Sequence, residues 1–271
     1  MRGSSGASLA AVKAAYEPVL RAAGADAATL GAQLFSVVDA LDGSGSLRRA
    51  VSDPARSGQS KAALVATLLG DRVDSRVVDV VSALARARWS GEEDFTASVE
   101  ELAADSVLAS AQSAGTLEQV EDELFRFDRL LIGQRDLRRA LTDRTVDSSR
   151  RSALVRTLLE GKVEPSTLQL VVRAAVAPRG RTMSGALGLL GRLAAQRREL
   201  LVAAVTCASP LTLAQMDRLR RILESAYGRS VQLNVSVDPE VVGGLRVQVG
   251  AEVVDSTVLS RLDDARRRLA G

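Results

Sequence analysis

The side chains that most often carry out catalysis are scarce in this chain. Its 271 residues include no histidine and a single cysteine, Cys207. Without histidine, the commonest general base and the Ser-His and Cys-His nucleophile pairs are excluded, as are the common zinc ligand sets. Cys207 lies in the apolar run LLVAAVTCAS, where a thiol stays protonated and packs as a small hydrophobic residue. The sequence therefore predicts no catalytic residue and no metal site.

Three glycine-containing segments are the candidates for binding a phosphate or a nucleotide. Gly58–Lys61 and Gly161–Lys162 lack the GxxxxGK[ST] spacing that wraps a loop around phosphates. Gly185, Gly188 and Gly191 approach a dinucleotide-binding pattern, but the second interval is wrong and no strand precedes them. Glycines three residues apart instead suit a helix that another helix approaches closely. No cofactor is predicted.

The acidic residues that could pair for acid-base chemistry or metal binding cluster at the start of one predicted helix. They are Glu92, Glu93, Asp94, Glu100 and Glu101. The dipole of a helix stabilises carboxylates in its first turn, and the later ones lie on its polar face. The cluster therefore indicates a helix start and a solvated surface.

Composition and charge narrow the class of protein. Hydrophobic residues make up 46% and charged residues 25%, as in a soluble globular protein, while aromatic residues are only 3%. Ala, Leu, Val and Arg dominate, which favours helices packed through aliphatic faces. The 36 basic residues are nearly balanced by 33 acidic ones and are not interleaved with aromatic residues. No nucleic-acid partner is predicted.

Neither a membrane span nor a secretion signal is predicted. No apolar run reaches about 18 residues, and the start MRGSSGASLAA lacks the apolar segment of a signal peptide. A single cysteine forms no intramolecular disulfide, so a reducing compartment is expected. We expect any membrane association to occur through partner proteins, with no direct membrane insertion.

The first part of the chain contains an internal repeat. The segment LRRAVSDPARSGQSKAALVATLLGDRV, which starts at Leu47, matches LRRALTDRTVDSSRRSALVRTLLEGKV, which starts at Leu137, at 12 of 27 positions without a gap. The pair Leu34-Phe35 recurs as Leu124-Phe125 at the same offset of 90 residues. Self-similarity at a fixed offset indicates a repeated structural unit.

Each copy of the repeat has the apolar spacing and the Gly and Pro breaks of a short helical bundle. Residues 1–100 are expected to form the first bundle and residues 101–198 the second. Because Glu92–Ser113 contains no Gly or Pro, one continuous helix is expected to end the first bundle and to begin the second. The predicted helices span about residues 8–23, 26–41, 46–52, 57–69, 74–88, 92–113, 116–132, 134–142, 147–160, 165–177 and 181–198.

The periodicity changes near Glu199, which marks residues 199–271 as a separate domain. The apolar run that ends at Ser209 suits a buried strand, and SVQLNVSVD and LRVQVG alternate like half-exposed strands. A helix is expected between the first two strands, with Leu213, Met216, Leu219, Leu223 and Ala226 on its apolar face. The predicted fold class is mainly α with a small α/β C-terminal domain: two tandem helical bundles followed by a small mixed sheet-and-helix domain.

The segment that follows SVQLNVSV has the chemistry of caps and turns. Asp238 suits the cap of a single helical turn with Pro239 at its first position, and Gly243 and Gly244 suit the end of that turn with positive φ. Gly250 then turns the chain into the next strand. These residues are expected to shape the backbone and not to bind a ligand.

The same stretch resembles the signature of the ATP synthase delta subunit family, which includes the mitochondrial oligomycin sensitivity-conferring protein. The pattern is D-P-x-x-x-G-G-x-x-V-x-x-G-x-x-x-x-D-x-S/T-V-x-x-x-L. It is carried by Asp238, Pro239, Gly243, Gly244, Val247, Gly250, Asp255, Thr257, Val258 and Leu262. The resemblance covers about residues 101–271, which is the length of an ordinary family member.

The resemblance implies a non-catalytic peripheral-stalk (stator) subunit of the proton-translocating F-type ATP synthase. In that family a six-helix bundle, here residues 101–198, grips the N-terminal helices of alpha subunits in the catalytic head. The C-terminal domain meets the end of the b-type stalk subunit, so the protein links head to stalk and resists rotor torque. The implied state is a hetero-oligomer, and the implied location is peripheral, at the cytoplasmic face of the bacterial cell membrane.

Residues 1–100 depart from the ordinary family and resemble the extra bundle of the enlarged actinobacterial delta subunit. Some of those proteins are fused to a b-type segment, so the chain is expected to be a free subunit or the soluble end of such a fusion. We favour the second bundle for alpha binding, because it directly precedes the signature domain. The residues expected to contact the partner are Leu102, Val107, Leu108, Leu168, Val171 and Val172.

The alternative is a tandem helical adaptor, or scaffold, that acts outside the synthase. Repeated helical bundles bury partner helices in grooves, so the first hundred residues alone are compatible with that function. The partners that purify with the chain distinguish the two hypotheses.

Overall fold

The computed structural model of the chain describes residues 3–143, 145–199, 201–227, 231–238, 244–249 and 252–255. The chain divides into two compact units, Met1–Arg197 and Arg198–Gly271. Helices build the first unit, and a sheet with one described helix builds the second. The predicted fold class, mainly α with a small α/β C-terminal domain, is confirmed.

The helices lie close to where the sequence predicts them. The largest difference is at the first, which begins at Ser4 and not at residue 8. Their bounds are α1 Ser4–Ala23, α2 Ala27–Gly43, α3 Gly45–Ser52, α4 Gly58–Leu69, α5 Ser75–Arg86, α6 Glu92–Ser113, α7 Leu117–Gly133, α8 Arg135–Thr142, α9 Ser148–Leu159, α10 Pro165–Val176 and α11 Met183–Glu199.

Helix α6 is the centre of the first unit. It runs from Glu92 to Ser113 without a break, as predicted, and its acidic first turn suits the helix dipole. Helices α1, α2, α3, α5, α7 and α10 all contact it. A single apolar core reaches from Leu9 in α1 to Ala194 in α11. The two halves of the repeat therefore share one core in this structure, and their division at residue 100 stays a prediction.

The repeat is visible in the helix bounds. Helices α7, α8, α9 and α10 begin and end 90 residues after α2, α3, α4 and α5, respectively. Ser113 at the end of α6 likewise lies 90 residues after Ala23 at the end of α1. Helix α6 thus corresponds to the first helix of the second copy, while it also packs against α1, α2, α3 and α5 as the last helix of the first copy.

One hydrogen bond between helices also recurs in the two copies. The backbone N–H of Asp74 donates to Gln33 Oε1 at 2.8 Å, and that of Glu164, 90 residues later, donates to Glu123 Oε2 at 2.9 Å. In each case a side chain of the second helix of the copy satisfies an amide at the start of the fifth, where helical hydrogen bonds are missing.

The second unit is a small mixed sheet with helix α12, Leu213–Tyr227. Its strands are β1 Leu201–Cys207, β2 Val231–Val237, β3 Leu245–Val249 and β4 Glu252–Asp255, in the order β2-β1-β3-β4. Strand β1 is parallel to β2 and antiparallel to β3, and β4 is antiparallel to β3. The core consists of Ala203, Val205, Leu223, Val231, Val247 and Val249.

Two expectations about burial in this unit need correction. Strand β1 is buried on one face, because Ala203 and Val205 are fully buried while Ala204 between them is exposed. Successive residues of a strand point to opposite faces, so an unbroken apolar run does not require both faces to be covered. In α12, Leu213 is 78% exposed and Ala226 is exposed too, because the apolar row of the helix is longer than the small sheet that it covers.

Candidate partner-binding surfaces

The predicted contact residues lie on two helices that pack together. Leu102, Val107 and Leu108 belong to α6, and Leu168, Val171 and Val172 belong to α10. Four of the six are completely buried, and the other two, Leu168 and Val172, are half-buried. In this structure these side chains are therefore core residues of the first unit.

Helix α2 covers this part of α6. A Cβ atom placed on Gly31 of α2 would lie 2.7 Å from Val107 Cγ2 and 2.8 Å from the carbonyl oxygen of Ala103. Such distances are shorter than van der Waals contact, so only glycine allows the two helices to approach this closely. Sequence reasoning places Val107 in a groove open to a partner, whereas a helix of the same chain already lies against it.

Helix α2 also binds α10 through polar contacts. Gln169 Nε2 donates to the carbonyl oxygen of Ala28 at 3.2 Å, and Arg173 Nη1 donates to Asp39 Oδ1 at 2.7 Å. The Arg173 guanidinium also stacks over the ring of Phe35, 4.7 Å from its centroid. Since α2 contacts both helices, a partner would have to displace it to reach the buried residues. The six predicted contacts stay a prediction.

A cavity of about 380 Å³ remains beside this packing. Its apolar lining includes Phe35 of α2, Leu170 of α10, and Leu189 and Leu190 of α11. Arg173 also lines it, and the Nε and Nη2 atoms of that side chain are buried without a hydrogen-bond partner. Glu100, Glu101, Arg181 and Arg192 line it as well, so the cavity combines apolar walls with charges of both signs.

Ion pairs tie the first helices of the chain to the last helix of the unit. Arg197 of α11 is 4% exposed and donates to Glu17 of α1 at 2.9 Å and to Asp105 of α6 at 3.0 Å. Burial raises the pKa of Glu17, and the Arg197 charge opposes that rise. Removal of one partner would leave an uncompensated buried charge, so this triad disfavours separation of α1 from α11.

Helix α7 carries apolar side chains on its surface. Phe125, Leu130 and Ile132 are 62%, 51% and 57% exposed, whereas Phe35, at the repeat position of Phe125, is 6% exposed. Sequence reasoning uses Phe125 as a marker of the repeat and misses this surface. A comparison of the two copies could have revealed it. The second copy has the apolar residues Leu130 and Ile132 where the first has Ala40 and Asp42, and Ala40 and Asp42 are exposed.

Four signature residues of the second unit fall within the described part of the chain. Gly244 has the predicted positive φ, +80°, and Val247 is 4% exposed within the sheet core. The backbone N–H of Asp238 donates to the carbonyl oxygen of Cys207 at 3.0 Å, and Asp255 ends β4 opposite Arg246. The signature residues that lie outside the described residues are Pro239, Gly243, Gly250, Thr257, Val258 and Leu262.

Comparison with known proteins decides the family. The sequence model of the ATP synthase delta (OSCP) subunit matches residues 99–269, the part of the chain that carries the second copy of the repeat and the signature. The chain belongs to this family. Two curated relatives, both called ATP synthase subunit delta, match over their full lengths. The one from Beutenbergia cavernae is 57% identical and the one from Streptomyces griseus is 46% identical, each over 271 residues and 100% of both chains.

A structural search also finds a chain in the mitochondrial ATP synthase hexamer of Toxoplasma gondii. It is 18% identical, the match covers 62% of this chain and 95% of that chain, and the TM-score is 0.28. This similarity is too weak to support an argument about the fold.

Delta (OSCP) subunits are structural components of ATP synthase and not catalytic ones. In the described part of this member, no three His, Cys, Asp or Glu side chains are grouped so that they could hold a metal ion. Cys207 is buried, as the sequence predicts. None of the described helices is long and apolar enough to cross a membrane.

Proposed function

We propose that the chain is a non-catalytic peripheral-stalk (stator) subunit of a proton-translocating F-type ATP synthase. The observation that carries the proposal is the family match over residues 99–269, together with relatives called ATP synthase subunit delta that match end to end. As in the family it resembles, it links the alpha subunits of the catalytic head to a b-type stalk subunit. It acts peripherally, at the cytoplasmic face of the bacterial cell membrane.

The packing of the first unit supports a role in resisting torque. A stator resists torque, so it needs helices that do not slide or separate under force. A continuous core from α1 to α11 and the buried Arg197 triad meet that need. Residues 1–100 and 101–198 are, on this proposal, two copies of an ancestral helical bundle that share α6.

The direct experiment removes the chain from the synthase in its source membrane. We expect the catalytic head to detach and to keep its ATP hydrolysis, while proton pumping driven by ATP is lost, because the chain couples but does not catalyse. Adding back the purified chain should restore both attachment and pumping. Heads that stay attached and keep pumping without the chain would contradict the proposal. Purification of the chain without alpha, beta or b subunits would favour the adaptor.

The b-type partner is proposed to bind the second unit, and neighbouring residues of β1 provide a matched test. Val205→Asp places a charge in the sheet core, whereas Ala204→Asp changes an exposed position on the opposite face. We expect Val205→Asp to abolish binding of the b C-terminal segment and to leave the helical content of the first unit intact. Ala204→Asp serves as the control for folding. Unchanged b binding by Val205→Asp would reject this assignment.

A further inference from the structure

The apolar surface of α7 is an unusual feature for a helix in a packed unit. Phe125 and Ile132 lie seven residues apart, so they share one face of the helix, and both are more than half exposed. Isolated exposed apolar residues are common, but a large aromatic and an aliphatic residue two turns apart on a single helix face are typical of an interaction site.

The first copy of the repeat indicates what fits this face. On α2 the equivalent side is covered by a helix, because Gly31 packs against Val107 of α6 and Phe35 shares a cavity wall with Ala97 and Ala104 of α6. The same side of α7 presents Glu121 and Phe125 at the positions of Gly31 and Phe35. The position of this side therefore suits a helix, but the bulk of Glu121 in place of glycine requires that helix to lie further away than α6 lies from α2.

The charges on α7 point to the same kind of partner. The helix carries five carboxylates and two guanidinium groups. One of the latter, Arg126, is already paired with Asp122 at 2.9 Å. Asp128, one turn from Phe125 and Ile132, has an Oδ1 atom that is inaccessible to solvent and has no hydrogen-bond partner. A buried carboxylate oxygen without a donor is costly, and a rotation of this half-buried side chain would bring the oxygen to an arginine or lysine of a partner.

We propose that α7 is a docking surface for an amphipathic, basic helix of another synthase subunit. Aliphatic side chains of that helix cover Phe125 and Ile132, and a lysine or arginine beside them donates to Asp128. The inference rests on the proposed function, because it takes the partner from the same assembly. A second copy of this chain would place two net-negative helices against each other, and anionic lipid headgroups would meet the same repulsion.

Site-specific photo-cross-linking in the assembled synthase tests the partner. The photoreactive residue p-benzoylphenylalanine replaces Phe125 in one variant and Gln119, which is exposed on another side of α7, in the control. We expect Phe125 to cross-link to a helical segment of another subunit that has a lysine or arginine within one turn of the attachment point, and Gln119 not to do so. A cross-link within the chain, to a second copy or to lipid, or none at all, would overturn the proposal.

Substitutions test the chemistry of the surface. Phe125→Asp should weaken retention of the chain by the synthase about tenfold, and Asp128→Asn about threefold. Neither should lower the melting temperature of the isolated chain, because Phe125 faces solvent and the buried Oδ1 atom of Asp128 has no hydrogen-bond partner there. Replacement of the cross-linked basic residue by glutamate, combined with Asp128→Lys, should restore retention.

The outcomes separate this inference from the function on which it rests. Wild-type chain that binds the synthase while Phe125→Asp binds equally well would overturn the α7 surface alone. Wild-type chain that does not bind would overturn the stator proposal and the α7 surface with it.

Discussion

Helices α2 and α7 begin and end at equivalent positions of the repeat, and each carries a phenylalanine at the same place. Phe35 is buried beneath the Arg173 guanidinium, whereas Phe125 is 62% exposed. The local sequence cannot explain the difference, because both helices have the same length and similar apolar spacing. The neighbours differ, since α6 covers α2 and no comparable helix among the described residues buries Phe125. Burial in a repeat is therefore set by the helices that pack against each copy.

The largest expected effect comes from truncating the two phenylalanines. Phe35→Ala should lower the free energy of unfolding of the first unit by about 3 kcal/mol, since it leaves a cavity and removes the surface on which Arg173 stacks. Phe125→Ala should change it by less than about 0.5 kcal/mol, because that ring is largely solvated. Urea unfolding followed by the helical circular dichroism signal measures both. Equal losses would mean that α7 is covered in solution.

A smaller effect is expected from filling the contact between α2 and α6. Gly31→Ala gains helix propensity, but its Cβ would collide with a backbone oxygen at 2.8 Å, and backbone atoms cannot rotate away. The collision should outweigh the gain, with a net loss of about 1–2 kcal/mol. Gly133→Ala at the end of α7, where a Cβ would meet nothing within 4 Å beyond its own turn of helix, is the control and should be neutral or slightly stabilising. Stabilisation by Gly31→Ala would show that the helices are further apart.

The smallest expected effect is the difference in stability cost between removing the cap residue of α5 and removing that of α10. Asp74 Oδ1 accepts from the backbone N–H of Arg76 at 2.9 Å, whereas Glu164 makes no side-chain cap at the equivalent position. Asp74→Ala should therefore cost about 1 kcal/mol and Glu164→Ala close to nothing. Thermal unfolding of the two variants side by side measures the difference, and equal costs would contradict the assigned cap.

The cap should also depend on pH. Hydrogen bonds from the Arg76 side chain and backbone lower the pKa of Asp74 from 3.8 to about 2. A carboxylate with a depressed pKa in the folded state stabilises the protein above the pKa of the unfolded chain and loses that contribution as the pH falls. The stability difference between wild type and Asp74→Ala should hold above about pH 5 and shrink between about pH 4 and pH 2. A difference that stays constant over that range would contradict the assignment.

In this chain the sequence predicts where helices and strands lie, but it predicts poorly which of them pack against each other. Helix α6 and strand β3, with Val247 and Val249 inward and Gln248 outward, follow from periodicity and from the placement of Gly and Pro. The burial of Val107 beneath Gly31 depends on two helices far apart along the chain, and an apolar residue at helical spacing does not reveal which neighbour covers it. The exposure of Phe125 could not be predicted from the sequence for the same reason.

The family could be predicted because its signature residues shape the backbone. Gly244 takes a positive φ that other residues rarely adopt, and Val247 fills the core of a small sheet that has little other apolar material. Such requirements restrict which residues can occupy these positions, so they can be recognised in the sequence. The surfaces that bind partners are harder to recognise, since many different exposed residues are compatible with the fold.

The continuity of α6 has a practical consequence for anyone who wishes to cut this protein in two. No linker that a protease could cut lies at the predicted boundary near residue 100, because that position falls inside α6. Deleting everything before Glu92 would remove α2 from Ala103 and Val107 and expose an apolar flank of α6 to solvent. The chain also has no hinge at that position, so on the stator proposal a force applied before residue 92 is transmitted to the following helices along the unbroken α6.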